Sequence, residues 1–300
     1  MWTAPTRKRP ERLIVLSLLD RIRELNTFDM SHYAPFMVGG VRVGAIRRDR
    51  IELLRGYPDV FSIDDSGIAF AKGLDTPRKR SDAILPVVRD FQEQRLIRHK
   101  QNEFYPVVDV EDRKLETPVL FQIERSAVPF FGIRAFGIHV NGYMHEEGGY
   151  SLWLGRRAKS ARVHPQKLDN MVAGGQPANL TPFENMIKEA AEEASLPREV
   201  AARAKACGYI SYCVETPEGL GPATMFVYDL EVSRDFEPEN ADGEIGYFQL
   251  LPIHDVLHLV DVGRELKPNS NLVIIDFCFR HGIITPAYPD YTEIEQGLRQ

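Results

Sequence analysis

The chain is expected to be an α+β protein in two parts. Residues 1–130 would form an N-terminal α+β domain, and residues 131–300 an α/β/α sandwich with a mixed sheet. Three observations lead there. The first part has short apolar runs punctuated by Gly, Asp and Pro, and the second has longer strands with one helix between them and others after. The pattern also breaks near residues 128–135. Three hundred residues suffice for two ordinary cores.

In order along the chain, Glu11 to Asn26 reads as an amphipathic helix and Met37–Gly44 as a glycine-punctuated hairpin. A second strand pair falls over Val60–Ala71, a helix over Thr76–Gln92, and strands near Glu103–Val110 and Val119–Glu124. After the break, Arg134–Tyr143 alternates Phe136, Ile138 and Val140, and Tyr150–Arg157 carries Leu152, Trp153 and Leu154. Strands at Tyr209–Glu215, Thr224–Glu231 and Gly246–Leu250 follow, then helices at Pro252–Leu259 and Ser270–His281.

A net charge of −6 argues against a nucleic-acid binder held by bulk electrostatics. The basic runs Arg7-Lys8-Arg9 and Arg78-Lys79-Arg80 read as solvated loops. Leu13–Leu19 is too short to span a bilayer, and Met1–Arg12 precedes no signal-peptide core. Cys207, Cys213 and Cys278 have neither zinc nor redox spacing, so free thiols in the cytoplasm are expected. Neither nucleic acid nor membrane is an expected partner, and a homodimer is the assembly to test.

The chemistry concentrates in Met171–Pro197. Ala173-Gly174-Gly175 reads as a glycine turn permitting φ > 0 and close backbone approach. Thr181 is a helix N-cap, with Pro182 in the first turn and Glu184 completing a capping box. Phe183, Met186, Ile187, Ala190, Ala191 and Ala194 then form a core-facing stripe. Glu189, Glu192 and Glu193 share the far side, within an arc of roughly 100°. Such carboxylates repel, at a few tenths of a kcal/mol per i,i+4 pair on a helix. A bridging Mg²⁺ or Mn²⁺ would remove that cost, since hard oxygen ligands suit both ions. A solvated acidic face is the other reading of the same three residues.

The segment resembles the Nudix box: Gly, five residues, Glu, seven residues, then Arg-Glu-aliphatic-x-Glu-Glu-x-Gly-aliphatic. Lys188–Leu196 matches its second half. The resemblance implies a Nudix fold and a metal-dependent hydrolase of phosphoanhydride bonds, in which Glu189, Glu192 and Glu193 bind Mg²⁺ or Mn²⁺ and act in catalysis. Lys188 stands where Arg is usual, Ser195 where Gly is usual and Leu180 where the loop Glu is usual, and the run from Gly175 is one residue short. An i,i+4 pair of Glu184 with Lys188 is the expected substitute for the lost Glu–Arg pairing.

Further segments, among them Asn102–Val107, Ile123–Ser126, Gly137–Tyr143, Leu152–Arg157 and Leu168–Gly175, are similar to one Nudix branch. That branch carries an N-terminal domain of unknown function and, in fungi, includes a Nudix region joined to thiamine pyrophosphokinase. It implies hydrolysis of thiamine diphosphate or its oxidised analogues, oxothiamine and oxythiamine diphosphate, to the monophosphate. No such kinase is expected in the residues after the Nudix core. The alternatives are a Nudix pyrophosphatase for a nucleotide sugar, ADP-ribose, a dinucleotide or coenzyme A, an isopentenyl diphosphate isomerase-like enzyme, and a non-catalytic diphosphate-binding module.

Supporting residues complete the expected site. Glu244 is the candidate for an extra acid that assists the metals or the water, with Glu239 and Asp242 as competitors. Arg156 and Arg157 could clamp diphosphate oxygens. Gly174 and Gly175 would admit the substrate, and His139 and Asn141 could face its pocket. Tyr105, Phe131 and Trp153 are candidates to stack on a planar ring.

Overall fold

The structure is a computed structural model that describes residues 17–98 and 102–300. The Arg7–Arg9 run, the Met1–Arg12 leader and the first part of the helix expected from Glu11 therefore lie outside the described residues. What is described of that helix is α1 (Leu18–Glu24), capped by Ser17.

The first sheet is built from β1 (Tyr33–Val38), β2 (Val41–Arg47), β3 (Phe61–Asp64) and β4 (Gly67–Phe70), in the order β2-β1-β4-β3. The short α2 (Ile51–Arg55) joins its two hairpins, and β1 pairs with β4 in parallel. Next comes α3 (Pro77–Glu93), which starts at Thr76, whose hydroxyl accepts the Lys79 amide. The hairpin of β5 (Phe104–Val107) and β6 (Phe121–Glu124) lies beside it. Phe36, Phe61, Phe121 and Phe131 centre this core. Phe131 is wholly enclosed there, a core ring rather than one that could stack on a ligand.

The second sheet has seven strands. Its spine is β7 (Ala135–Glu146) against β8 (Gly149–Arg157), with β9 (Leu168–Asn170) paired to β8 and β10 (Val172–Gly175) paired to β7. Then follow α4 (Pro182–Ala194), α5 (Arg198–Ala201), β11 (Lys205–Thr216), β12 (Gly219–Glu231) and β13 (Ile245–Pro252). The order is β11-β12-β7-β8-β13, and β12 runs parallel to β7 within an otherwise antiparallel set. The expected mixed sheet is present. Last come α6 (Ile253–Val262), α7 (Pro268–Arg280) and α8 (Tyr291–Gly297).

Alternation along β7 divides the interior into two. Ile138 and Val140 pack with Met186, Ile187 and Ala190 of α4. A separate core gathers Leu152 and Leu154 of β8 with Leu272–Cys278 of α7. Leu18, Leu19 and Ile22 of α1 join this second core, so α1 packs on the C-terminal helices rather than on the first sheet. Among the described residues no helix is long and apolar enough to cross a membrane.

Candidate active site

The acidic helix begins as its sequence says. Thr181 Oγ1 accepts the Glu184 amide at 3.2 Å, and the Glu184 carboxylate accepts the Thr181 amide at 2.9 Å. That reciprocal cap occupies Glu184. The expected Glu184–Lys188 pair is not formed, and Lys188 Nζ instead bridges Glu189 at 3.1 Å and Glu192 at 2.6 Å.

The buried face of α4 is rotated from the expected one. Phe183 is 43% exposed and Ala191 is exposed, whereas Asn185 and Glu193 are buried. Both buried polar residues are held by the glycine strand. Asn185 Nδ2 donates to the Gly175 carbonyl at 2.8 Å, and Glu193 Oε2 accepts the Ala173 amide at 2.8 Å. Gln176 Nε2 closes the connecting loop by donating to the Leu180 carbonyl at 2.6 Å. At the far end Ser195 terminates the helix in the left-handed region, φ 51°. This is the position where the box pattern has Gly, the residue that adopts this conformation without steric cost.

Gly174 and Gly175 form strand β10 rather than the expected turn, with β10 paired antiparallel to β7 and neither glycine at positive φ. Their value is close approach. A Cβ on Gly174 would overlap the Glu189 carboxylate, and one on Gly175 would overlap the Tyr105 hydroxyl.

The three glutamates therefore occupy three environments. Glu193 is 3% exposed, Glu189 partly buried and Glu192 exposed. Burial first, then the neighbouring Asp169 and Glu189 charges, pushes the Glu193 carboxyl well above the ordinary range despite the Ala173 N–H. Burial also raises Glu189, against the pull of Lys188. Among the described residues no three His, Cys, Asp or Glu side chains are already gathered as a metal cage. The donor chemistry nevertheless fits a hard divalent cation. Two of the glutamates are carboxylates disfavoured as lone anions, and Lys188 already places a positive charge between Glu189 and Glu192.

The other expected residues scatter. Arg156 and Arg157 are adjacent on β8 and diverge. Arg156 binds the Gln166 carbonyl at 2.8 Å and Glu265 at 2.9 Å, while Arg157 lies 3.5 Å from Asp169 and 3.8 Å from Glu244. They make no joint clamp. Glu244 is exposed in the loop before β13, and that loop is tied to the last turn of α4 by Ala241 N to the Glu192 carbonyl and Glu239 N to the Ala194 carbonyl. Asp242 is engaged in the same turn, accepting the Glu244 amide at 2.8 Å.

His139 and Asn141 face the core rather than a ligand pocket, 2% and 1% exposed. His139 Nδ1 donates to Asn170 Oδ1 at 2.7 Å and Nε2 accepts from Asn269 at 3.2 Å, which fixes a neutral ring with both nitrogens satisfied. Burial pushes its pKa down to about 4. Asn141 bridges Asp229 at 3.0 Å and Asn170 at 2.8 Å.

The first sheet's half of the chain reaches the box, and nothing in the spacing of the sequence signals it. The Ala178 amide donates to the Phe104 carbonyl at 2.9 Å, joining the box loop to β5. Tyr105 abuts Gly175, and the Arg125 guanidinium lies 5.5 Å from the Tyr105 ring and 2.8 Å from Glu103. The Glu103 carboxylate acts electrostatically on Glu189, and Glu244 on Arg125. Glu103, Phe104, Tyr105 and Arg125 thus form one wall beside the acidic helix.

A mixed sheet, a capped helix bearing Glu189, Glu192 and Glu193, and a glycine strand packed against it together make a framework whose donors suit a hard divalent cation. The comparisons narrow that framework to a family. Residues 16–135 match a family described as a domain of unknown function (DUF4743). The chain is 36% identical over 272 residues to Nudix hydrolase 24, chloroplastic, of Arabidopsis thaliana, covering 90% of this chain and 73% of that protein. It is 36% identical over 279 residues to Nudix hydrolase 20, chloroplastic, of the same plant, covering 90% and 74%. The solved structure of DR0079 from Deinococcus radiodurans is 22% identical and covers 58% of this chain and 98% of that one, with a TM-score of 0.43. The chain belongs to the Nudix hydrolase family, enzymes that act on phosphoanhydride bonds.

Proposed function

We propose that the protein is a Mg²⁺- or Mn²⁺-dependent hydrolase that converts thiamine diphosphate, or its oxidised analogues, to the monophosphate and phosphate. The observation that carries the hydrolytic reading is Glu193, a buried carboxylate whose one hydrogen bond among the described residues is to the Ala173 amide, beside a partly buried Glu189. Burial and repulsion disfavour both anions, and a cation relieves both effects. Glu189, Glu192 and Glu193 are the residues that would hold Mg²⁺ or Mn²⁺. When bound, such ions neutralise charge on the phosphoryl group and acidify water.

The remaining work falls to the chain's own side chains. Glu189, whose affinity for a proton is raised by burial, accepts the proton of the attacking water. Glu244 is the competing acceptor, carried by a loop fixed to the same helix. Arg125, seated over the buried Tyr105 ring, orients the substrate. The guanidinium meets phosphate oxygens, while Gly174 and Gly175 let Glu189 and Tyr105 pack close against the strand backbone. Against the isomerase alternative, burial pushes Cys207 and Cys213 up to about 11 and raises Cys278 further, so none of the three is an activated thiol.

The thiamine assignment rests on the segments shared with the thiamine-linked branch. A hydrolysis panel of thiamine, oxothiamine and oxythiamine diphosphates beside ADP-ribose and nucleotide sugars tests it. Preference for any nucleotide substrate over all three thiamine compounds would overturn the assignment and leave the hydrolase reading standing. Loss of phosphate release with chelator is expected throughout. Free thiols favour the cytoplasm. A homodimer remains the assembly to test, by light scattering of the full chain.

A further inference from the structure

A second polar constellation lies at the seam between the two sheets. A half-open cavity of about 200 Å³ is lined by β2, the segment after β5, the residues just before β7, the β11–β12 hairpin and the chain following α1. Its lining side chains include three arginines, Arg42, Arg113 and Arg134, and one carboxylate, Glu111, and Gln300 also lines it, its backbone oxygen accepting from Arg113 Nε at 3.3 Å. Arg42 pairs with Glu111 at 2.9 Å and Arg113 with the same group at 3.4 Å, so one carboxylate is divided between two guanidinium groups. The lining side chains are therefore net positive in a protein of net charge −6.

Arg134 decides the chemistry. It is 7% exposed, and its acceptors are all neutral: the Val110 carbonyl at 3.1 Å, the Ala223 carbonyl at 3.4 Å and Thr224 Oγ1 at 3.3 Å. Among the described residues it has no carboxylate partner, and its Nη2 makes no hydrogen bond. Arginines buried to this degree are ordinarily paired. Burial, with Arg113 nearby, pushes its pKa down to about 10, which still leaves the group charged. The remaining lining mixes polar groups, Asn26, Tyr212 and Gln300, with apolar ones. Phe28 and Met30 are 42% and 40% exposed at the rim, with Leu220 and Pro222 behind them.

We propose that this seam cavity is a binding site, distinct from the acidic helix, for a small organic oxyanion: a carboxylate or phosphate head held by Arg134 and Arg113, with a compact apolar body against Phe28 and Met30. With Nε and Nη1 of Arg134 already engaged, its free Nη2 donates to one oxygen of the head, a charge-assisted contact that Arg113 can supplement. The ligand completes the charge balance that the chain leaves open and touches both halves of the molecule at once.

Cys213 also lines the cavity and reports on it, while Cys207, on the same strand but outside the lining, serves as reference. Alkylation of the full chain is followed by peptide mapping while benzoate, phenyl phosphate or inorganic phosphate is titrated. Saturable protection of Cys213 by roughly tenfold, with Cys207 unchanged, is expected for at least one of them. Benzoate alone assigns a carboxylate head, inorganic phosphate alone a phosphate head, and phenyl phosphate above inorganic phosphate an apolar body. Arg134→Gln should abolish the protection. Should that variant fail to fold, Arg113→Gln and Phe28→Ala, both nearer the surface, should each weaken it. No saturable protection by any probe, or protection unaltered in the folded variants, overturns the proposal.

Discussion

Asp169 and Glu193 are both buried carboxylates of the second sheet's half, 1% and 3% exposed, and they are treated in opposite ways. Asp169 accepts from Lys267 at 2.9 Å and from Ser270, with Arg157 at 3.5 Å and His139 at 3.9 Å. Burial would raise its pKa, but the Lys267 charge and the Ser270 hydroxyl outweigh it and hold the group well below the usual range. Among the described residues Glu193 has only the Ala173 amide, and its pKa is pushed up. A compensated buried acid acts as a structural tie. An uncompensated one is a place where the fold accepts a cost that a ligand can remove.

The largest effect that could break this contrast is on the compensated side. Asp169→Asn leaves Lys267 and Arg157 without their shared anion and should lower unfolding free energy by about 3–5 kcal/mol. Urea titration measures it, and a loss no greater than that of Glu193→Gln would dissolve the distinction. Next, Glu193→Gln should cut metal-dependent turnover roughly hundredfold. It should cost no stability, because a carboxylate disfavoured by burial is removed. Unfolding of this variant under conditions where the parent folds would make Glu193 a structural residue instead.

The same network gives a pH dependence. His139 has a folded pKa of about 4 against an unfolded value of 6.5, so in that window the unfolded chain binds the proton and the folded chain does not. Its contribution is fully present above the unfolded value and is lost as pH falls toward about 4. From about pH 7 to about pH 5 the loss is about 2 kcal/mol. The slope difference between the parent and His139→Gln isolates it, and equal slopes would remove His139 from the account. The smallest effect sharpens the helix itself. Ser195→Gly relieves a left-handed cap and should add about 0.5 kcal/mol after the greater unfolded-state freedom of glycine is counted.

What could be read from sequence was what is local. The start of α4 at Thr181-Pro182 and its capping box depend on four consecutive residues, and they are found where expected. The hairpin of β1 and β2 and the helix after Thr76 are equally local. The face that α4 buries is not, because Asn185 and Glu193 are drawn inward by hydrogen bonds to β10 that an apolar stripe cannot encode. The glycine run read as a turn because its pairing partner β7 lies more than thirty residues earlier in the chain. His139 and Asn141 alternate as a pocket lining would, and only the arrival of Asn170, Asn269 and Asp229 from distant segments shows them to be satisfied. The wall of Tyr105 and Arg125 is likewise a product of packing, and no spacing foretold it.

The central claim is that the Glu189–Glu193 face is under-compensated because it is built for a divalent cation. Chemical unfolding of the parent and of Glu193→Gln, each with and without saturating Mn²⁺, tests this without recourse to any substrate. At an ion concentration about a hundred times the dissociation constant the parent should gain about 2.7 kcal/mol. Glu193→Gln should gain only a small part of that. An equal gain in both proteins, or none in the parent, would contradict the account.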